Sequence, residues 1–332
     1  MRKIIVVVIL FLGAGFVYLS FGELESIGKT LRQGNFWFVL MGLVIQLGWI
    51  LVTGLNYHSI YRLLGLEGTA YKLSLLAAAA SFVNIVAPSG GMGGVAVFIA
   101  DAKRNGNSRG KVLVANILYI FLDYLAFLCV LFLGLIILFR RNDLDAGEII
   151  ASMIMFSIVV GLGLLLYLGL YSADLLGNTL AWIAQQINRV ANLLIQRDYL
   201  SEERAHEFAH EMADGLKFMP ERPRGLILPM IFSFTNKALL MCVLLSAFMA
   251  FQVPFTAATI IGGFSISYLS LVVSPTPAGI GIVEGIMPLA LSSLRVPWSQ
   301  AVIVTLAYRG ITFWAPFGIG AIALRILDGE GK

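Results

Sequence analysis

The sequence predicts an all-α polytopic membrane protein, an inverted repeat of two halves with about six full spans and two broken re-entrant helical hairpins. Three observations carry this reading: an excess of apolar residues, a series of apolar segments of crossing length, and two apolar regions interrupted by proline and glycine. Of 332 residues, 59% are hydrophobic and 13% charged, and the mean hydropathy is +0.88. Soluble domains carry about 25% charged residues, so this much apolar sequence is meant for lipid. The net charge of +4 sits in short basic loops, which suits cytoplasmic flanks of membrane helices rather than a nucleic-acid surface. Cys129 and Cys242 lie in apolar runs and imply no disulfide framework.

Taken in order, 3–21 follows Arg2 and Lys3 and lacks a small-residue cleavage site, so it reads as a retained first span. Segments 36–55, 112–139, 149–171, 225–250 and 299–327 reach or approach the roughly 20 residues that cross about 30 Å of hydrocarbon. Region 70–100 is broken by "NIVAPSGGMGG" and 257–294 by "SPTPAGIGIVEG". The first region is too short for two crossings, so it reads as two half-helices that return to the side they came from. The alternative is that proline and glycine merely kink two packed spans.

Arg2 and Lys3 place the N-terminus in the cytoplasm, and Lys103, Arg104, Arg109 and Lys111 place loop 101–111 there too. That agrees only with a re-entrant 70–100. Arg140 and Arg141 then fall outside, against the rule, although Asp143, Asp145 and Glu148 accompany them. The long polar segment 172–224 and the C-terminus fall inside. The organisation expected is a first repeat over 1–139, a middle part over 140–224 with span 149–171 and cytoplasmic amphipathic helices at 180–219 on the inner membrane surface, and the rest of the second, inverted repeat over 225–332. Each half reads span, span, broken hairpin, span, a recurring transporter design.

Four ionisable residues fall well inside apolar spans: Asp123, Lys237, Glu284 and Arg309. Each costs about 2.5–3.5 kcal/mol on insertion scales and needs a reason. One reason is pairing that holds helices together, Glu284 with Arg309 for example. The other is a polar groove for a charged ligand, in which the planar fork of Arg309 suits phosphate and the half-helix N-termini beyond Pro88 and Pro277 favour an anion. Gly90, Gly91, Gly93, Gly94, Gly279 and Gly281 fit no nucleotide-binding pattern; they permit close helix packing, close ligand approach, or both.

His206-Glu207-Phe208-Ala209-His210 matches the H-E-x-x-H pattern of zinc proteases. On a helical wheel Ala205, Phe208, Ala209, Met212 and Leu216 form one apolar stripe and the two histidines flank the polar face. Arg204 and Glu211 bracket the motif and no third histidine follows, so no metal role is assigned to His206 or His210.

"SPTPAGIGIVEG" and the arginine and aromatic-proline stretch that follow it resemble the flippase-like family known from the transmembrane region of lysylphosphatidylglycerol synthases. The likeness covers roughly 3–327. Pro277, Gly279, Gly281, Glu284 and Arg309 match the family pattern, with Ala278 in place of its first glycine. The first motif matches the family's earlier glycine-rich turn, but Val95, Ala96, Val97 and Phe98 stand where many members carry glutamate and arginine. That departure bears against a share of the first half in headgroup binding. The resemblance implies movement of a polar lipid between leaflets: an anionic or aminoacylated phospholipid, or an isoprenoid-phosphate lipid. The chain ends at Lys332 without the soluble aminoacyl-transferase domain, so no lipid modification is expected. The expectation is a flippase or scramblase in the cell membrane, multi-pass with both termini cytoplasmic. It is not an enzyme, needs no cofactor and binds no nucleic acid, and the sequence leaves room for a homo-oligomer. Substrate binding is expected at Arg309, Glu284, Lys237 and Asp123, with Pro88, Pro277 and the six glycines. Two other readings are a secondary transporter of a small anionic or zwitterionic solute, and a non-transporting membrane protein, the zinc protease or a scaffold.

Overall fold

The structure is a computed structural model that describes residues 21–86, 92–141, 146–195, 202–216 and 223–329. The expected span 3–21 falls almost wholly outside the described residues, as do Pro88, Gly90 and Gly91. The described residues contain no strand. The helices are α1 (Phe21–Gln33), α2 (Phe36–Leu63), α3 (Ala70–Val86), α4 (Met92–Asn105), α5 (Arg109–Arg141), α6 (Ala146–Tyr171) and α7 (Ala173–Ile195). They continue as α8 (Glu202–Leu216), α9 (Ile227–Ala250), α10 (Ala257–Val273), α11 (Ile282–Ser293), α12 (Trp298–Arg309) and α13 (Ala315–Gly329). Phe36–Leu63, Arg109–Arg140, Ala146–Tyr171, Arg224–Ala250 and Trp298–Gly329 are each long and apolar enough to cross a membrane. These contain the five expected spans after the first.

α2 outruns its apolar sequence. Most of the run from Asn56 to Tyr61 is packed in protein: Asn56 Nδ2 donates to Ser233 Oγ at 3.0 Å, and Ile60 and Tyr61 lie in the core, while Arg62 is exposed. α2 and α9 run antiparallel along one another. Gly42 lies against Ser246, Thr53 against Asn236, Asn56 against Ser233, and Leu63 against Gly225.

The two broken regions are hairpins whose ends meet. At the base of α3 and α4, Lys72 Nζ pairs with Asp101 Oδ1 at 2.9 Å, and Asn107 exchanges hydrogen bonds with the Glu67 backbone. At the base of α10 and α11, Gly262 and Gly263 lie against Leu294 and Leu291. α3 and α10 have 17 residues each, about 25 Å of helix, short of a full crossing.

The entries to these hairpins match each other position for position. α2 ends at Gly65 (φ 64°) and α9 at Gln252 (φ 53°), and in each turn the next amide reaches back into the helix, Leu66 N to Tyr61 O and Val253 N to Phe248 O. Thr69 then bonds the amide of Lys72 as Thr256 bonds that of Thr259. The long-range packing is also reciprocal. Gly320 of α13 meets Ala78 of α3, and Gly134 of α5 meets Ser265 of α10, the counterpart of Ala78 in the same register.

α7 and α8 pack on one another, and α8 also packs on α5 and α6. The α8 stripe of Ala209, Met212 and Leu216 is fully buried against protein, with Gly110 of α5 seated on Glu211 and Gly169 of α6 on Leu216. That stripe therefore has a protein partner. α7 does leave Leu175, Trp182 and Ile183 exposed.

Candidate functional site

The second hairpin breaks over 274–281. Pro277 ends the run of backbone donors, and Ala278 (φ 49°), Gly279 (φ 71°) and Gly281 (φ 78°) turn the chain through the left-handed region. Side chains hold the turn: Thr276 N donates to Ser274 Oγ at 3.1 Å and Thr276 Oγ1 to Ile280 O at 2.9 Å. Glu284, in the first turn of α11, has one carboxylate oxygen on Gly281 N (2.8 Å) and the other on Arg309 Nε. Arg309 donates from Nη2 to Ala278 O at 3.1 Å and stacks on Phe313, 4.8 Å from the ring centre. Arg309 is 4% exposed, and its guanidinium pins the broken loop to the end of α12. Directly after it Gly310–Trp314 forms a π-helical turn, an interruption often found at functional sites.

Asp123, Lys237 and Tyr268 form a second buried cluster. Lys237 Nζ donates to Asp123 Oδ2 and to Tyr268 OH, both at 2.6 Å, and Tyr268 OH donates to Asp123 Oδ2 at 3.0 Å. Lys237 is 1% exposed and Asp123 7%. A polar seam adjoins it between α2, α5 and α9: Asn236 Nδ2 to Thr53 Oγ1 (3.3 Å), Asn56 to Ser233, and Tyr57 OH to Asn116 Oδ1 (3.2 Å). Oδ1 of both Asn56 and Asn236 is buried without a partner, as are both side-chain polar atoms of Gln46. The four intramembrane charges thus form two ion pairs rather than one groove, and a phosphate arriving at either cation meets a carboxylate already there.

In the first hairpin, Asn84 Oδ1 accepts from Gly94 N at 2.6 Å, and a Cβ on Gly94 would lie 2.6 Å from the Asn84 amide. Carried through the hairpins, the register of their entries sets Gly94 opposite Gly281 and Val97 opposite Glu284. Each hairpin thus has a side-chain oxygen on the glycine amide that opens its second helix, but only the second uses a charged group. Phe98 is buried and stacked on Tyr57, ring centres 4.4 Å apart. Gly93 opens α4 beside it.

An apolar groove of about 440 Å³ runs between α6, α10 and α11. Ile266, Leu269, Val273, Ile282, Ile286 and Leu289 line it, with Ser270 and Ser274 toward the break and Glu148 and Ser293 toward the base. Leu289 is 60% exposed, so the groove opens on the outside of the bundle. It lies on the opposite face of α11 from Glu284. His206 packs on Gly177 and His210 lies 3.8 Å from Asp174; among the described residues no three His, Cys, Asp or Glu side chains converge on a metal position.

Tyr268, Asn236, Asn56 and Gln46 escaped the sequence reading. A signal was present, since Gln46, Thr53 and Asn56 recur at helical spacing on one face of an otherwise apolar α2. Uncharged polar residues are common enough in membrane helices that the ionisable ones drew the attention.

The lysylphosphatidylglycerol synthase TM region is the family whose model matches, over residues 4–320. A UPF0104 membrane protein of Methanocaldococcus jannaschii is 23% identical over 335 residues, covering 98% of this chain and 95% of its own length. The match runs through both hairpins, both ion pairs and the π turn. The chain is a member of the lysylphosphatidylglycerol synthase TM-region family.

Proposed function

We propose that this protein carries a polar, phosphate-bearing lipid between membrane leaflets and that the Glu284–Arg309 pair receives the headgroup. The observation that carries the proposal is the placing of that pair. A buried arginine and a carboxylate are tied to the loop where the second hairpin breaks, in a helix too short to cross hydrocarbon. Non-helical backbone at that depth is tolerated where it lines a cavity, and buried charges there usually belong to a transport path. A pair of opposite charges also matches a headgroup of opposite charges: phosphate to Arg309, an ammonium to Glu284. The apolar groove favours a lipid over a water-soluble ion, because acyl chains have a slot on the outer face of the helix that carries Glu284.

In this reading the protein is a carrier and performs no covalent chemistry. Its two halves form an inverted repeat, supported by antiparallel α2 and α9 and the matched hairpins, and rocking of one half against the other changes access. It sits in the cell membrane with both termini cytoplasmic. The test is translocation of fluorescent phosphatidylglycerol in phosphatidylcholine–phosphatidylglycerol vesicles, read by dithionite quenching. Arg309→Ala and Glu284→Gln are expected to abolish the protein-dependent rate while each protein still reconstitutes. Wild-type rates in both would overturn the assignment.

A further inference from the structure

The two ion pairs differ in what they join. Glu284 and Arg309 belong to one half, α11 and the end of α12. Asp123 lies on α5 of the first half, whereas Lys237 and Tyr268 lie on α9 and α10 of the second. The register in which Gly134 matches Gly320 carries Asp123 onto Arg309. Asp123 therefore occupies the place of the arginine in its own half. There the matching glutamate position is Val97, so Asp123 has no partner within its hairpin and reaches across to Lys237. Lys237 in turn sits where α2 and α9 cross, between the Thr53–Asn236 and Gly42–Ser246 contacts. This is the axis about which two such halves would rock. The Asp123–Lys237 pair joins the two halves, so parting them at this line of contact breaks it.

We infer that Asp123, with Lys237 and Tyr268, is the binding site for a coupling proton. With the halves together, carboxylate and ammonium neutralise each other. When they part, Asp123 loses Lys237, and the carboxylate takes a proton from water on the open side to become a neutral acid. Lys237 remains an ammonium, and an anionic headgroup carried at Arg309 offsets its charge, so the loaded carrier gains no net charge. When the headgroup leaves on the far side, the acid gives its proton to water there and the pair re-forms. One proton crosses with each phosphate charge. The groups facing Asp123 are compatible with this role: Lys237 from α9, Tyr268 from α10, Tyr57 from α2, and Tyr119 and Tyr124 from α5 itself. Among these facing groups no second carboxylate competes for the proton and Lys237 is the sole cation. A second observation points the same way: Asn236, next to Lys237 in sequence, and Asn56 both keep a fully buried oxygen without a protein partner, hydrogen-bonding capacity left over beside the pair.

This inference rests on the carrier reading, and the experiment separates the two. Full-length protein is reconstituted in phosphatidylcholine–phosphatidylglycerol vesicles with fluorescent phosphatidylglycerol, an internal pH dye and an imposed pH gradient. Wild type is expected to move lipid several-fold faster down the gradient and to move protons with it. Asp123→Asn is expected to lose both the gradient dependence and the proton flux. Because that variant leaves Lys237 unpaired, Asp123→Asn/Lys237→Gln, which removes both charges, guards against misfolding and should behave alike. Lipid movement by wild type that ignores the gradient, or that keeps its gradient dependence in the double variant, overturns the coupling and leaves the carrier reading standing. If wild type moves no labelled lipid, the carrier reading fails for that lipid; the proton site is then judged in detergent, where infrared difference spectra between acidic and neutral pH must contain a protonated-carboxyl band that disappears in the double variant. Absence of such a band overturns the site.

Discussion

Replacing Glu284 separates what its carboxylate does for the fold from what it does for transport. One oxygen caps Gly281 N and the other neutralises Arg309, which is 4% exposed. Removing one partner of a buried pair costs about 3–5 kcal/mol, chiefly because the remaining charge is left uncompensated. Glu284 keeps 16% of its side chain exposed, which places this pair at the low end, about 3 kcal/mol. Loss of a helix-capping oxygen adds about 1 kcal/mol. Glu284→Gln retains an oxygen for the cap and should lose about 3 kcal/mol, while Glu284→Ala should lose about 4 kcal/mol. Glu284→Gln/Arg309→Met removes both charges and should recover most of the loss. At 1.4 kcal/mol per factor of ten, the glutamine variant shifts the folding equilibrium by roughly two orders of magnitude. Reversible unfolding of the purified protein in mixed detergent micelles measures these differences. A Glu284→Ala variant as stable as wild type would refute the burial argument. A double variant less stable than either single one would show that the charges do not answer each other.

Other outcomes follow from the packing. Gly54→Ala drives a Cβ into Ser74 Oγ and places it 2.7 Å from the Ser74 Cα, so α2 and α3 must separate; the melting temperature should fall by several degrees, whereas Gly48→Ala on the same helix, with open space, should leave it level or raised. Gly279→Ala meets Val283 at 2.7 Å in addition to its positive φ, and Gly281→Ala meets only the positive φ, so the first should lower thermal stability more than the second. Lys72→Ala loosens the base of the first hairpin by up to about 1 kcal/mol, a pair of this exposure being screened, and should speed amide exchange in α4 without unfolding the protein.

The five later span positions and the two broken regions were legible because apolar length and Pro/Gly interruption are properties of consecutive residues. The pairing of charges was only half legible. Equal numbers of acids and bases made Glu284–Arg309 a candidate, but Asp123 and Lys237 are 114 residues apart and meet through the crossing of two halves. The α8 stripe was legible as a stripe but what covers it was not, since an amphipathic helix looks the same whichever apolar partner it has. The turns at Gly65 and Gln252 were illegible for another reason: they share a backbone shape and not a residue type.

The contact between Gly320 and Ala78 has a consequence for biosynthesis. Helix α3 is too short to be held by the bilayer alone, and its seat is built by residues near the other end of the chain. At about 5–20 residues per second the ribosome needs roughly 12–50 s to supply the stretch between them. During that interval the first hairpin has α2 to pack on, through Gly54 against Ser74, but lacks its seat on α13. The hairpin is therefore completed only once α13 has been made, and a chain truncated before α13 should leave α3 more open to proteases.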